Sequence, residues 1–146
     1  MSLRFPLFVD LSGKKAVVVG GGTVGLRRAR ALRDFGAAVT VVAPSLGAPL
    51  EGVAHIARRY QAGDLAGAFL AVAATDDRAV NRAVREEAQD SGVLVNVCDC
   101  QSECGFFFPA ICRTGNLVAG VAGDGTDHRR TAQAAATIRK ALEELP

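Results

Sequence analysis

The sequence predicts an α/β domain: a mostly parallel sheet with helices on both faces, and an antiparallel addition near the C-terminus. Three observations predict it. Continuous apolar runs of strand length recur along the chain, which suits strands covered on both faces rather than half-exposed ones. Amphipathic segments stand between them, and such alternation argues for right-handed βαβ units. Toward the C-terminus the alternation breaks, because Gly115-Asn116 separates two strand-like runs by a turn instead of a helix.

In chain order, the predicted strands of the parallel sheet are Ala16 to Gly20, Ala38 to Ala43, Phe69 to Thr75 and Val93 to Val97. The first helix is predicted over Thr23 to Phe35, where Leu26, Ala29 and Leu32 are set among Arg27, Arg28, Arg30 and Arg33. The second runs from Asp77 to Ser91, with Val80, Val84 and Ala88 four apart. Gly36 and Gly92 stand where helices commonly stop. "GFFFPAICR" and "NLVAGVAG" form the antiparallel addition, expected at the sheet edge. A last helix is predicted from about Thr126 to Leu145, with an apolar stripe of Ala135, Ile138, Leu142 and Leu145 that can dock on the sheet or on another chain.

The 146 residues suit one ordinary domain, and no repeat, low-complexity tract or linker divides them, so a single domain over 1–146 is expected. With 49% hydrophobic and 22% charged residues the composition is that of a globular protein, which excludes disordered and fibrous classes. A net charge of +2 is too small to suggest a nucleic-acid surface. The start, "MSLRFPLFVDLSGKK", is broken by Pro6 and Asp10 and lacks a small-residue cleavage site, so a signal peptide is not expected. No run approaches the roughly 20 apolar residues of a membrane span. A cytoplasmic protein, with no nucleic-acid or membrane partner, is the expectation.

Gly20, Gly22 and Gly25 fit G-x-G-x-x-G between a predicted strand and a predicted helix. In that setting the first glycine permits the tight turn, the second lets backbone approach a pyrophosphate, and the third lets helix and strand pack closely. The helix N-terminus then faces the phosphates with unpaired N–H groups and its positive dipole end. The expected fold is therefore a Rossmann-type dinucleotide-binding domain. One part of the fingerprint is missing, since Pro44 and Ser45 stand where a ribose-binding Asp or Glu normally follows the second strand. No Arg directly follows that strand either; Arg58 and Arg59 come further along.

"PLFVDLSGKKAVVVGGGTVGLRRARAL", "VTVVAPS", "LAVAATDDRAVNRAV" and "VNVCDCQSECGFFFPAI" occur in an order and spacing that resemble the NAD-binding domain of siroheme synthases, the precorrin-2 dehydrogenase/sirohydrochlorin ferrochelatase family. The resemblance covers nearly the whole chain. This family also lacks the acidic residue after the second strand. It implies an oxidoreductase that passes hydride from the reduced tetrapyrrole precorrin-2 to NAD, giving sirohydrochlorin; some members then insert ferrous iron. It further implies cofactor contacts at Gly20, Gly22, Thr23, Val24 and Gly25, at Pro44 and Ser45, and at Ala74 and Thr75. The family's catalytic aspartate lies in an N-V-x-D segment, here "NVCD", so that role falls on Asp99. The residues themselves say less. A carboxylate beyond the C-terminal end of a strand suits a ligand site in an open α/β sheet, and equally a loop or cap.

The chain departs from the family in three places. Where the family reads close to S-G-G-x-S-P, this chain has "AGDGTDHRR" from Ala122 to Arg130; Thr126 or Asp127 can still cap the last helix, and Arg129 and Arg130 can supply charge for substrate carboxylates. The helical region through which family members dimerise and close the cleft is largely absent, so a homodimer or a partner supplying that region is expected. Cys98, Cys100, Cys104 and Cys112 cluster around Asp99 without the paired C-x-x-C knuckles of zinc sites, so reduced thiols and no metal are expected. Two other readings stay open. One is a dinucleotide-sensing or regulatory module without chemistry, and the other is a metal-binding protein built on the cysteines.

Overall fold

The structure, a computed structural model, describes residues 3–146, so Met1 and Ser2 lie outside the described residues. In chain order the elements are β1 (Lys15–Val19), α1 (Thr23–Asp34), β2 (Ala38–Val42), β3 (Ala54–Ile56), β4 (Leu70–Ala73), α2 (Arg78–Ser91), β5 (Leu94–Val97), β6 (Ala110–Thr114), β7 (Leu117–Val121) and α3 (His128–Glu143), with a short 3-10 turn at Gln101–Glu103. They gather into two compact units, Val9–Phe106 and a smaller one in which the residues up to Phe8 join Phe107–Pro146.

In the larger unit five parallel strands lie in the order β3-β2-β1-β4-β5. Val17 pairs with Thr40 on one side and with Ala71 on the other. The connection through α1 leaves β1 in one direction, and that through α2 leaves β4 in the other. Right-handed crossovers therefore put the two helices on opposite faces. The burial agrees: Val17 and Val19 pack in one cluster with Val84 and Ala88 of α2. Ala16 and Val18, which point to the other face of the strand, are fully buried, and Leu26, Ala29 and Leu32 along the inner stripe of α1 are buried too. The continuous apolar runs are explained by this two-sided cover. Both helices stop on glycine-assisted turns, with Gly92 in the left-handed region at φ 68° closing α2.

The sequence reading missed β3. It is three residues long, all of them exposed, and has no apolar run to announce it. The C-terminal hairpin is a second departure, because β6 and β7 form their own two-stranded antiparallel sheet instead of extending the parallel one. The outer edge of β5 is already satisfied. Gly105 N donates to Val95 O at 2.7 Å, Val97 N to Cys104 Sγ at 3.2 Å, and Cys104 Sγ to Val97 O at 3.3 Å. A strand edge so occupied offers the hairpin no ladder.

In the smaller unit α3 packs across β6 and β7. Ala135 is buried there and Cys112 Sγ donates to Ala135 O at 3.3 Å, while Leu145, at the far end of the predicted stripe, is 56% exposed. The "AGDGTDHRR" segment is a turn and a cap. Asp124 Oδ1 accepts from Thr126 N and Oγ1, and Asp127 Oδ1 caps α3 by accepting from Arg130 N at 2.8 Å.

Arg58 and Asp64 tie down the loop after β3 through two bonds of 2.9 and 2.7 Å, and the guanidinium holds the Asp64 carboxyl below the usual carboxylate range. A carboxylate whose pKa is lowered by folding adds stability above its unfolded value, and that contribution is lost as pH falls through the folded one. Thermal stability should therefore drop as pH is taken below about 4, and Asp64→Asn should flatten that drop. Melting temperature against pH for the two proteins checks it.

Candidate functional site

The order β3-β2-β1-β4-β5 reverses direction at β1 and β4, and in open α/β sheets ligands sit beyond the strand ends at such a point. A cleft of about 750 Å³ lies there, floored by the turn after β1 and walled by the segments that follow β2, β4 and β5.

The glycines of the turn divide the work in a way that hypothetical side chains reveal. Gly20 lies at φ +122°, and a Cβ there would come within 2.3 Å of Ala74 O. A Cβ on Gly21 would meet Ser45 O at 2.1 Å, and one on Gly25 would meet Gly20 O at 2.2 Å. These three close the turn against its neighbours. Gly22 differs, because a Cβ there meets nothing within 4 Å and opens into the cleft. As the N-cap of α1, Gly22 brings no side-chain hydrogen bond, and the first helical turn carries no acidic residue. The helix thus presents its N–H groups and positive dipole end without an anion in its own first turn.

Thr75 forms the opposite wall, and it is fixed by a residue the sequence reading passed over. Asn81 is fully buried. Its Oδ1 accepts from Thr75 N at 3.1 Å and Thr75 Oγ1 at 2.7 Å, and its Nδ2 donates to Thr75 O at 3.0 Å. A signal was present: Asn81 falls on the α2 stripe three residues before Val84, where a polar side chain needs an internal partner. Asn81→Leu keeps the volume but strands the N–H and carbonyl of Thr75, whose hydroxyl still donates to Asp77 O, and an unsatisfied buried group costs about 1–3 kcal/mol. The variant should unfold at lower urea concentration and bind dinucleotide more weakly, as urea titration and calorimetry would show.

Asp99 lines the cleft where β5 ends, beside Cys98. Arg78, the first residue of α2, reaches both Asp99 Oδ1, at 2.9 Å, and Glu103 Oε2. The shared guanidinium holds the Glu103 carboxyl below its usual range and fixes one oxygen of Asp99; Oδ2 of Asp99 has no hydrogen bond among the described residues. Cys98 reaches the surface, yet the packing around its sulfur pushes the thiol pKa up, opposed by the nearby Arg28 guanidinium.

Of the residues expected to hold cofactor, Gly20, Gly22, Thr23, Val24, Pro44, Ser45, Ala74 and Thr75 line this cleft together with Asp99. Gly25 does not; it is buried where α1 meets the turn, in the packing role its motif position describes. Gly21, Gly47, Arg59, Asp76 and Asp77 line it as well and were not foreseen. Among the described residues no group of three or more His, Cys, Asp or Glu side chains converges as a metal site, and no helix is long and apolar enough to cross a membrane.

Known proteins similar to this chain share its class of fold. The chain is 42% identical over 144 residues to "Probable multifunctional siroheme biosynthesis protein HemA" of Ruminiclostridium josui, an alignment covering 94% of this chain and 28% of that protein. It is 44% identical over 126 residues to siroheme synthase of Pseudomonas putida strain W619, covering 82% of this chain and 27% of the relative. The chain thus spans between a quarter and a third of the length of these relatives. Among solved structures it resembles SirC, precorrin-2 dehydrogenase, with a TM-score of 0.80 at 28% identity, covering 94% of this chain and 71% of that one. A family model described as NAD(P)-binding matches residues 7–110, the stretch that contains the parallel sheet, the glycine turn and Asp99, and the chain belongs to that NAD(P)-binding family.

Proposed function

We propose that this chain oxidises precorrin-2 to sirohydrochlorin, with NAD as the hydride acceptor. The observation that carries the reading is the cleft itself, where an uncapped helix N-terminus at an open glycine and the carboxylate that follows β5 share one space. Its support from outside the chain is the likeness to SirC and to siroheme synthases.

The fit of a dinucleotide rests on Gly22, whose missing side chain leaves room for a phosphate against the N–H groups of Thr23 and Val24. Pro44 and Ser45 border the ribose side, and Ala74 and Thr75 the opposite wall, held by Asn81. Bound NAD supplies a two-electron acceptor. Removing two hydrogens from precorrin-2 sends a hydride to NAD and leaves one proton to be taken up, so the products are sirohydrochlorin, NADH and a proton. Asp99 takes that proton on the oxygen that Arg78 leaves open. We also propose that the chain works as one dinucleotide-binding domain in a homodimer, or with a partner supplying a helical C-terminal region. Its four free thiols favour the reducing cytoplasm.

An anaerobic assay of precorrin-2 with NAD tests the proposal. NADH should appear with the chain and fail to appear without it. Dinucleotide binding with no turnover would point instead to a sensing module.

A further inference from the structure

Binders of NAD usually carry an acidic residue after the second strand, which bonds the ribose hydroxyls and repels a 2′-phosphate. Here β2 runs into Pro44 and Ser45, and among the described residues no carboxylate lines that side of the cleft; its acidic lining residues, Asp76, Asp77 and Asp99, follow β4 and β5. On the ribose side stands Arg59. Its neighbour Arg58 is committed, holding Asp64 through two bonds, and the same guanidinium donates to Arg59 O at 2.9 Å, which fixes the Arg59 backbone. The Arg59 side chain is exposed and makes no hydrogen bond or ion pair among the described residues. Ser45 is similarly uncommitted in its N–H and its hydroxyl.

We infer that Arg59, with Ser45, forms a receptor for the 2′-phosphate of an adenine dinucleotide, so that the cleft accepts NADP as well as NAD. The inference rests on the dinucleotide reading above and deepens it by assigning the residue that decides between the two cofactors. An arginine can pair with a phosphate through two parallel bonds, each charge-assisted, whereas the 2′-hydroxyl of NAD offers it no charge. Arg59 should therefore act on the ratio of the two affinities. In a cleft with a carboxylate in its place the ratio would favour NAD strongly.

Calorimetric titration with NAD and with NADP tests this on the wild type, Arg59→Gln and Ser45→Asp, with circular dichroism confirming that each variant folds. The wild type should bind NADP within about tenfold of NAD. Each substitution should raise the NADP-to-NAD ratio of dissociation constants by about tenfold or more, Arg59→Gln by removing a charge-assisted bond and Ser45→Asp by placing repulsion beside the phosphate. Rising salt should weaken NADP relative to NAD in the wild type, where it screens the attraction between Arg59 and the phosphate, and should do so much less in Arg59→Gln. A wild type that binds NAD but discriminates against NADP by more than about 100-fold, or an unchanged ratio in folded Arg59→Gln, overturns the inference and leaves the NAD reading standing. If neither dinucleotide binds, the dinucleotide reading falls and this inference falls with it.

Discussion

Gly22→Val is expected to weaken dinucleotide binding by about 100-fold or more in a chain that still folds. The backbone at Gly22 has φ −81° and ψ −173°, an extended conformation that valine adopts without strain, and the space beside it is open. The folded chain therefore loses only the modest N-cap preference for glycine, about 1 kcal/mol or less. A ligand phosphate loses its seat, because the new methyl groups occupy the approach to the helix N–H groups. Gly25→Ala makes the contrast. Alanine favours a helix by about 1 kcal/mol, but its Cβ would lie 2.2 Å from a backbone carbonyl that no rotamer change can move. That variant should lose stability first, and affinity only in consequence. Urea melts and NAD titrations of both proteins separate the two behaviours. Undiminished affinity in folded Gly22→Val would mean that the glycine turn is not the phosphate seat.

Asp99→Asn should reduce NADH formation from precorrin-2 by on the order of 100- to 10,000-fold, the usual cost of losing a general base. Asparagine keeps the size of the side chain and can still accept a bond from Arg78, so the segment after β5 should hold its course. It has no basic, charged form to take the proton. Affinity for NAD should change little, since the phosphate seat proposed above lies at the glycine turn. The loss should therefore fall on kcat and kcat/KM together. An equally fast variant would show that the proton goes elsewhere.

The sequence was legible where physics is local. The β1 run, the Gly20 turn and the stripe of α1 each carry their own pattern, and the structure places them within a residue or two of the predicted bounds. It was less legible where a feature depends on distant partners. Strand β3 is short, exposed and unpatterned, so only its pairing with β2 defines it. The hairpin of β6 and β7 reads correctly as a hairpin, but its separation from the parallel sheet depends on Cys104 and Gly105 occupying the β5 edge, and no hydrophobic period records that. The site divides in the same way. Gly20, Gly22 and Gly25 announce a tight turn between a strand and a helix, whereas Asn81, Arg78 and Arg59 acquire their meaning only once the ends of β2, β4 and β5 are side by side.

Coupling of a dinucleotide to oxidation of a tetrapyrrole in this cleft would show in the stoichiometry of a single turnover. Protein in excess over precorrin-2 is mixed anaerobically with NAD, and sirohydrochlorin and NADH are followed together. The two should rise at the same rate and in equal amounts. Sirohydrochlorin formed without matching NADH, or NAD bound with no product formed, would contradict it.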